Sequence, residues 1–268
     1  MVPSDESFSP REQTIEEVKQ RIVDARTSAP EGVLAFDCDG TLWSGDIGED
    51  SFLARVETML ADSGPLSDES TQHLREIASP LGIDAHDGAE TAKLLFAAYT
   101  QGKVDEELMC EVMAWLYAGW EHQELHRFVK RVVAERGLKA RLHHEACAVG
   151  SWAKTEGIPV YFVSASPLGV LQAAIEVLDW TPTEIVAATQ QAIDGVLQAR
   201  VHRPIPYGPG KVKRLAERTQ GATVLAAFGD NVFDLALLSS ANVPVAIRPK
   251  PKLRARLSEH PGVVVLKS

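Results

Sequence analysis

The chain has 268 residues, enough for one large domain or two modest ones with a sizeable buried core. Its 27 basic and 37 acidic side chains give a net charge of −10, which repels polyanions and excludes a general nucleic-acid-binding surface. The hydrophobic fraction of 45% is that of an ordinary globular protein, and no apolar run reaches the ~18 residues that a membrane span needs. The first residues also lack the apolar core of a secretory signal, so we expect a cytoplasmic protein with no nucleic-acid or membrane partner.

The first predicted element is a helix. Ser9-Pro10-Arg11-Glu12 has the form of a capping box with proline at the first helical position, and apolar residues follow at helical spacing. These signals predict a helix from about Pro10 to Arg26.

Short apolar runs then alternate with amphipathic stretches. Such runs are typical of strands that are buried on both faces of a parallel sheet. The predicted strands cover residues 32–36, 158–163, 185–188, 222–228 and 243–247. Helices are predicted over 141–156, 168–178, 211–218 and 233–238. Strands that alternate with helices predict an α/β fold with a doubly wound parallel sheet.

One connection is far longer than the others. Asp37 and Ser164, which end the first two predicted strands, are 127 residues apart, whereas a strand–helix–strand unit takes only ~30. The excess is rich in helical pattern, so we predict an inserted helical cap domain over 51–137, above the carboxyl edge of the sheet. Residues 1–50 and 138–268 then form the core domain.

A shorter excursion over residues 189–201 carries Asp194-Gly195 between apolar residues. This dipeptide is the two-residue turn signal of a β-hairpin, and we predict a hairpin there.

Two carboxylates end the first predicted strand, in the segment Phe36-Asp37-Cys38-Asp39-Gly40-Thr41-Leu42. Side chains two residues apart leave a strand on the same side, so Asp37 and Asp39 can face one crevice. A carboxylate there can attack phosphorus while its neighbour donates a proton to the leaving oxygen and later activates water. The alternative is an Asp-rich turn without chemistry.

A second acidic cluster, Gly229-Asp230-Asn231-Val232-Phe233-Asp234, follows a later strand. Asp230 and Asp234 are four residues apart and look along the same side of a first helical turn. Two carboxylate clusters at one sheet edge repel each other unless a hard cation lies between them. Mg²⁺ is the predicted occupant, because its preferred ligands are oxygens.

Donors for phosphoryl oxygens come from two further segments. Ser164 ends a strand, and Pro167 begins a helix whose amino terminus can face an anion. Lys211 follows Tyr207-Gly208-Pro209-Gly210 at the start of a helix, where its ammonium can reach into a cleft. Each residue alone is more often a cap or a solvated lysine. Together with the acidic clusters they supply the donors, the cation and the nucleophile of a phosphate site.

The chain resembles the haloacid dehalogenase superfamily of aspartate-nucleophile phosphohydrolases. Four of the family's motifs occur in order: FDCDGTL at 36–42, VSAS at 163–166, Lys211, and GDNVFD at 229–234. The hairpin followed by YGPGK, and the helical cap inserted after the first motif, are similar to the phosphoserine-phosphatase-like subfamily, subfamily IB. The resemblance implies a core of this fold carrying the cap.

The resemblance also implies a role for each motif residue. The catalytic residues would be Asp37 as nucleophile, Asp39 as general acid and base, and Ser164 and Lys211 as phosphoryl-binding groups. The substrate-binding residues would be Ser164, Ala165, Lys211 and Asp46. The Mg²⁺ ligands would be Asp37, the main-chain carbonyl of Asp39, and Asp230, with Asp234 in support.

The chain departs from the subfamily near the substrate. Phosphoserine phosphatases usually have two glycines after the serine of the second motif and an Asn before the last aspartate, where this chain has Ala165, Ser166 and Phe233. These departures argue against phosphoserine itself. Asp46 stands where the similar enzymes carry a glutamate that meets the substrate's amino group, and an acid beside a phosphate favours a cationic substrate. The alternative is a solvated acidic loop.

We therefore expect a magnesium-dependent phosphomonoesterase that hydrolyses a small phosphorylated metabolite through an aspartyl-phosphate. An amine-bearing substrate such as a phosphoamino acid, phosphoethanolamine or phosphocholine is favoured. The alternatives are a phosphomutase or another phosphotransferase on the same scaffold, and a catalytically silent binding protein.

Other conspicuous residues are expected to have structural roles. Trp115, Tyr117 and Trp120 are interpreted as packing in the cap rather than as a ligand cage. The histidine pairs, which are His122 with His126 and His143 with His144, are interpreted as surface or packing residues, and no second metal is predicted.

Overall fold

The computed structural model describes residues 11–62 and 66–268. The strands are β1 (Glu12–Gln13), β2 (Val33–Phe36), β3 (Val160–Pro167), β4 (Glu184–Ala188), β5 (Gln190–Ile193), β6 (Val196–Val201), β7 (Val224–Gly229), β8 (Val243–Ile247) and β9 (Val264–Leu266). The helices are α1 (Ile15–Ser28), α2 (Ile47–Asp62), α3 (Asp68–Ala78), α4 (Gly88–Thr100), α5 (Glu106–Trp115), α6 (His122–Glu135), α7 (His144–Thr155), α8 (Leu168–Ala174), α9 (Pro209–Thr219), α10 (Leu235–Ser239) and α11 (Pro251–Arg256). Within the described ranges, no helix is both long and apolar enough to cross a membrane.

The core of the fold is a parallel sheet with the strand order β1-β9-β8-β7-β2-β3-β4. Its inner strands bury both faces. Leu34 and Phe36 of β2 point into one hydrophobic cluster with Val18 and Ile22 of α1, while Ala35 points into another with Leu215 of α9. Helices thus cover both faces of the sheet, because alternate side chains of each strand need apolar cover on opposite sides. The predicted doubly wound α/β fold is confirmed.

The predicted start of the first helix is wrong. Helix α1 begins at Ile15, and Thr14 caps it by accepting a hydrogen bond from the main-chain N–H of Glu17, whose side chain accepts one from the N–H of Thr14. Residues 12–13, predicted as helical, instead form β1, which pairs with β9. Two capping boxes compete in the sequence, and pairing with the sheet edge decides between them. Ser9 and Pro10 lie outside the described residues.

The other predicted elements exist with shifted ends. Strand β3 continues through residues 164–167, because it pairs again with β4 at Pro167. Helix α7 begins at His144 rather than at residue 141, which ends a short 3₁₀ turn. The stretch predicted as a helix over 233–238 divides into a 3₁₀ turn, Val232–Asp234, and α10.

The long insertion is helical, as predicted, and contains α3, α4, α5 and α6 with most of α2. Phe52, Leu95 and Met109 lie in a hydrophobic cluster separate from that of the sheet, which we call the cap cluster. Helix α6, in contrast, packs on α8, and its Leu125 and Phe128 belong to the cluster of the sheet. The domain boundaries at 50/51 and 137/138 stay a prediction.

The hairpin predicted over residues 189–201 is present as β5 and β6. Asp194 and Gly195 join the strands with φ angles of 51° and 82°, and a turn with two residues in the left-handed region matches the twist of a hairpin. The hairpin also contacts the insertion. The N–H of Gly119 donates to the carbonyl of Leu197 at 2.8 Å, and the N–H of Leu197 donates to the carbonyl of Trp120 at 2.9 Å.

Loss of the capping box of α1 should destabilise the protein. Thr14→Ala removes the hydroxyl that accepts the N–H of Glu17, and we expect the free energy of unfolding to fall by about 1 kcal/mol. Urea unfolding measures the change. Thr27→Ala, an exposed threonine in the last turn of the same helix, is the control, and its effect should stay within about 0.5 kcal/mol. Equal losses in the two variants would contradict the assigned cap.

Candidate active site

The motif segments meet at the carboxyl edge of the sheet because β2 lies between β3 and β7. Asp37 follows β2 directly, Ser164 lies near the end of β3, and Asp230 follows β7. Parallel strands present their carboxyl ends at one edge, so side chains from three distant parts of the chain share one cavity of about 80 Å³. The sequence-predicted residues that line it are Asp37, Asp39, Asp46, Ser164, Ala165, Lys211, Asp230 and Asp234.

Asp37 is buried at the floor of this cavity and has a partner on each oxygen. Its Oδ1 accepts a hydrogen bond from Nζ of Lys211 at 2.6 Å, and its Oδ2 accepts one from Oγ1 of Thr41 at 3.0 Å. Burial and the nearby carboxylate of Asp234 raise the pKa of Asp37 to about 8 in the protein without a metal ion. The carboxylate form of Asp37 therefore needs more positive charge than Lys211 supplies.

Lys211 joins the two acidic segments. Its buried ammonium donates to Oδ1 of Asp37 and to Oδ1 of Asp234. Burial by itself lowers the pKa of this ammonium, but the two carboxylates outweigh burial and raise the pKa above its ordinary value. Lys211 is therefore a fixed positive charge beside Asp37.

Asp234 orients the loop that carries Asp230. Its Oδ2 accepts the main-chain N–H of Asp230 at 3.1 Å and that of Asn231 at 2.9 Å, while its Oδ1 accepts from Lys211. Both oxygens of Asp234 are thus engaged by the protein. This arrangement fits the supporting role predicted for Asp234.

The carboxylates of Asp37, Asp230 and Asp234 are close enough to surround a metal ion. Each offers an oxygen, and these oxygens lie within 4.8 Å of one another. Burial, opposed by the ammonium of Lys250 and aided by the carboxylate of Asp234, raises the pKa of Asp230 to about 6 in total. Carboxylate oxygens crowded in a buried place match the hard oxygen ligands that Mg²⁺ prefers, so the donor set fits this ion.

Gly40 permits the close approach of the two acidic segments. Its φ angle is +86°, and a Cβ built on it would lie 2.1 Å from Oδ2 of Asp230. A side chain at this position would push Asp230 away from Asp37.

Asp39 is held by three donors. Its Oδ1 accepts from Nε1 of Trp43 and from the main-chain N–H of Ile47, both at 2.8 Å, and its Oδ2 accepts from Oγ of Ser166 at 2.7 Å. The residue is half-buried and lines the same cavity as Asp37. Its carboxylate is therefore fixed in orientation at the cavity wall.

The second motif places a hydroxyl and main-chain groups on the cavity wall. Ser164 is buried, and its Oγ accepts the main-chain N–H of Ser166 at 3.1 Å. Ala165 lies between them and also lines the cavity. The hydroxyl hydrogen of Ser164 stays available to an anion, because a hydroxyl donates and accepts at the same time.

Asp46, predicted to contact the substrate, does line the cavity. Its Oδ1 accepts the main-chain N–H of Glu49 at 2.8 Å, at the start of α2. Burial, followed by the carboxylates of Asp39 and Glu49, raises its pKa well above the ordinary value. The residue is therefore part of the acidic cavity and not of a solvated loop.

Several cavity residues were not assigned to the site from the sequence, although Phe233 was noted as a departure from the subfamily. The insertion contributes Tyr99 of α4 together with one face of α5, and the core contributes Lys250 and a pair of aromatic rings. The face of α5 is formed by Glu106, Met109, Cys110 and Met113, and the rings are those of Tyr207 and Phe233. The α5 residues have the i, i+3, i+4, i+7 spacing of a helix face, a signal that core packing produces equally well. No motif marks Lys250.

The residues expected to be structural lie elsewhere. Trp115 packs in the cap cluster, whereas Tyr117 packs in the cluster of the sheet and Trp120 lies against it. His126 pairs with Glu176 at 2.6 Å, and His143 is hydrogen-bonded to the carbonyl of Thr41 at 3.0 Å. None of these residues lines the cavity.

Protons and Mg²⁺ should compete for this site. The raised pKa values of Asp37, about 8, and Asp230, about 6, mean that the folded metal-free protein retains protons that the unfolded chain has lost, so its stability falls as the pH rises from about 4 to about 8. Bound Mg²⁺ removes this penalty. We expect Mg²⁺ to raise the Tm about twice as much at about pH 8.5 as at about pH 6.

Scanning calorimetry with and without saturating Mg²⁺ measures this difference. Asp230→Asn, which removes one carboxylate of the cluster, should abolish most of the Mg²⁺-dependent rise at both pH values. A rise that is equal at the two pH values would contradict the competition.

Comparisons with known proteins agree with the arrangement of the motifs. The model of the haloacid dehalogenase-like hydrolase family matches residues 34–239. A protein of unknown function from Bordetella pertussis Tohama I has a similar structure, with 21% identity, a TM-score of 0.67 and coverage of 88% of this chain and 98% of the other. No curated protein sequence matches this chain significantly.

Two solved structures with named activities share the fold at lower similarity. A phosphoserine phosphatase with bound substrate has 16% identity and a TM-score of 0.52, over 89% of this chain and 93% of the other. A cytosolic 5′-nucleotidase IIIB bound to cytidine has 16% identity and a TM-score of 0.52, over 93% and 85%. The matched family model covers most of the chain and includes every motif described above. The chain thus belongs to the haloacid dehalogenase-like hydrolase family, as its motifs predicted, with a fold similar to that of phosphoserine phosphatases.

Proposed function

We propose that this protein is a magnesium-dependent phosphomonoesterase that transfers the phosphoryl group of a small metabolite to Asp37 and then to water. The observation that carries the proposal is the buried position of Asp37 in the cavity, beside a lysine and a second carboxylate. Lys211 lies 2.6 Å from its Oδ1, and Asp230 offers a carboxylate oxygen within 4.8 Å. A nucleophile, a fixed ammonium and a cation-binding carboxylate in one buried space match the needs of phosphoryl transfer.

The Mg²⁺ ligands in this proposal are the carboxylates of Asp37 and Asp230 and the main-chain carbonyl of Asp39. Asp234 acts through its hydrogen bonds to the Asp230 loop. When bound, Mg²⁺ neutralises the charge of the carboxylates and of the phosphoryl oxygens beside them.

In the first step, a carboxylate oxygen of Asp37 attacks the phosphorus atom, and the bond between phosphorus and the ester oxygen breaks. Lys211 and the hydroxyl of Ser164 bind the phosphoryl oxygens as this occurs. The electron pair of the broken bond stays on the ester oxygen, which takes a proton from Asp39 and leaves as an alcohol. Asp37 then carries the phosphoryl group as a mixed anhydride.

The hydrogen bonds of Asp39 decide which of its oxygens carries that proton. The donors to Oδ1 are an indole N–H and a main-chain N–H, and neither group can accept a hydrogen bond. The partner of Oδ2 is the hydroxyl of Ser166, which can rotate and accept. The proton that Asp39 donates is therefore assigned to Oδ2.

In the second step, Asp39, now a carboxylate, takes a proton from water, and the hydroxide oxygen attacks phosphorus. The bond between phosphorus and Asp37 breaks, and the products are inorganic phosphate and the free Asp37 carboxylate. Asp39 is again protonated, so the cycle closes without a further reactant.

The wall that faces the leaving group belongs to the insertion, which supports its predicted role as a cap. Tyr99, Glu106 and Met109 line the same cavity as Asp37. Side chains of the cap can thus select the leaving group and exclude water.

The charge of the cavity favours a substrate that carries an amine. The described residues that line it include six acids and two lysines, so with Asp39 protonated and the other five acids ionised one negative charge remains after Mg²⁺ binds. A phosphate dianion adds to this excess. A cationic group on the leaving side, near Asp46 and Glu106, offsets it, and phosphoethanolamine, phosphocholine or a phosphoamino acid is the proposed substrate class.

Asp37→Asn should abolish turnover while the protein stays folded, because an amide cannot form the mixed anhydride. We expect kcat to fall by on the order of 10⁴-fold. The control is Asp194→Asn, the same change at the exposed hairpin turn, where Asn tolerates a positive φ. A single turnover in ¹⁸O-labelled water should also place the label in phosphate and leave the Asp37 carboxylate of the wild type unlabelled, because water attacks phosphorus. Wild-type turnover by Asp37→Asn, or label in the Asp37 carboxylate, would refute the mechanism.

Asp46→Ala should raise the KM for phosphocholine or phosphoethanolamine by about tenfold, because it removes a carboxylate from the leaving-group side. The kcat/KM for p-nitrophenyl phosphate, which carries no cation, should stay within about twofold. Asp50→Ala is the control, since Asp50 pairs with Arg141 outside the cavity. Equal effects on both substrates, or a wild-type preference for sugar phosphates, would contradict the amine proposal.

A further inference from the structure

A second lysine lies on the acidic cluster. Nζ of Lys250 is 2.9 Å from Oδ2 of Asp230, and the Lys250 side chain is 51% exposed whereas that of Asp230 is 2% exposed. Oδ1 of Asp230 has Oγ1 of Thr41 at 3.5 Å as its hydrogen-bond neighbour, which is a weak contact. Lys250 therefore supplies the nearest positive charge to this carboxylate.

The loop that carries Lys250 is held in place from several sides. Its main-chain N–H donates to the carbonyl of Asp230 at 2.8 Å, and Pro249 and Pro251 restrict the backbone before and after it. Both the main chain and the side chain of Lys250 thus contact Asp230.

The residue before this segment adds a further restraint. Arg248 has a φ angle of +42°, a conformation that is costly for a residue with a side chain. Its guanidinium binds both oxygens of the buried Glu145 carboxylate, at 2.6 and 3.2 Å. An ion pair with a buried acid maintains the strained backbone, so the position of Lys250 is built into the fold.

We propose that Lys250 is an internal competitor of Mg²⁺ at Asp230. In the metal-free protein its ammonium neutralises the carboxylate, and the ion that binds Asp230 displaces this ammonium from Oδ2. The inference rests on the proposed function in one respect, namely that Asp230 is a metal ligand.

Two consequences follow from the competition. The metal-free protein is stabilised, because a buried carboxylate keeps a positive partner. The affinity for Mg²⁺ is lowered, because binding must break the Lys250–Asp230 pair and leaves an ammonium near a divalent ion. The half-exposed side chain of Lys250 has room to move towards Asp46 and Glu106, which line the same cavity.

Calorimetric titration of the metal-free full chain with Mg²⁺ tests the proposal. Lys250→Met, which keeps the length and removes the charge, should bind Mg²⁺ about tenfold more tightly than the wild type. Lys250→Arg, which keeps the charge, should stay within about threefold of the wild type. Lys252→Met removes an exposed lysine two residues further on and should leave the affinity unchanged.

Thermal unfolding separates competition from a purely structural role. Lys250→Met should have a lower Tm than the wild type without metal and a nearly equal Tm at saturating Mg²⁺. A merely structural residue would lower both values. Lys250→Gln provides a second neutral variant in case the methionine protein does not fold.

The outcomes separate this inference from the proposed function. Unchanged or weaker Mg²⁺ binding by Lys250→Met, with normal binding by the wild type, would overturn the competition and leave the phosphatase proposal intact. Absence of Mg²⁺ binding by the wild type would overturn the proposed function and, with it, the inference.

Discussion

Repulsion between buried carboxylates at the edge of the sheet is the constraint on which the rest of the site depends. Asp37, Asp230 and Asp234 place oxygens within 4.8 Å of one another in a space that excludes most solvent. Burying such a cluster raises the free energy of the folded state unless positive charges and N–H donors interact with the carboxylates. Lys211, Lys250 and the main-chain N–H groups of the Asp230 loop do so in the metal-free protein. The site is therefore assembled to hold excess negative charge, which a divalent ion then balances.

The topology of the sheet explains why these groups meet. Strand β2 has β7 on one side and β3 on the other. Asp37, which follows β2, therefore lies between Asp230, which follows β7, and Ser164 of β3. Packing reinforces the alignment: Phe36 stacks on Phe228 with ring centroids 4.0 Å apart, directly below Asp37 and Gly229. The strand ends are thus held by apolar contacts that involve no catalytic group. Because the residues that pack the strands differ from those that form the site, the repulsion between the carboxylates does not disrupt the sheet.

The sequence was informative where local pattern and function coincide. Asp37 and Asp39 follow a buried strand at a spacing of two, and the Asp194-Gly195 turn depends on two adjacent residues, so both could be predicted. The start of α1 could not, because Thr14 and Ser9 offer equivalent capping signals and a distant partner, β9, decides between them. Lys250 has no local signature, since its role arises from a loop 20 residues beyond Asp230 that folds back on it.

The part of the cavity wall formed by α5 also shows how far sequence reasoning reaches. Met109 and Met113 have the spacing of a helix face, but only the packed structure tells which faces meet the cavity and which meet other helices. Trp120 illustrates the converse. It was assigned to the cap, yet it lies against the cluster of the sheet and carries the guanidinium of Arg55 over its ring at 4.4 Å. Long-range packing overrides position along the chain in both cases.

The main-chain hydrogen bonds between β6 and the chain beyond α5 have a mechanical consequence. A lobe attached only by its two chain connections can swing as an independent lid. Here α6 already packs on α8, and Leu197 adds a main-chain attachment through Gly119 and Trp120, close to the end of the helix that walls the cavity. Rotation of α5 away from Asp37 must either break this attachment or carry the hairpin along. Substrate entry by such a rotation would therefore displace β5 and β6 together with α5.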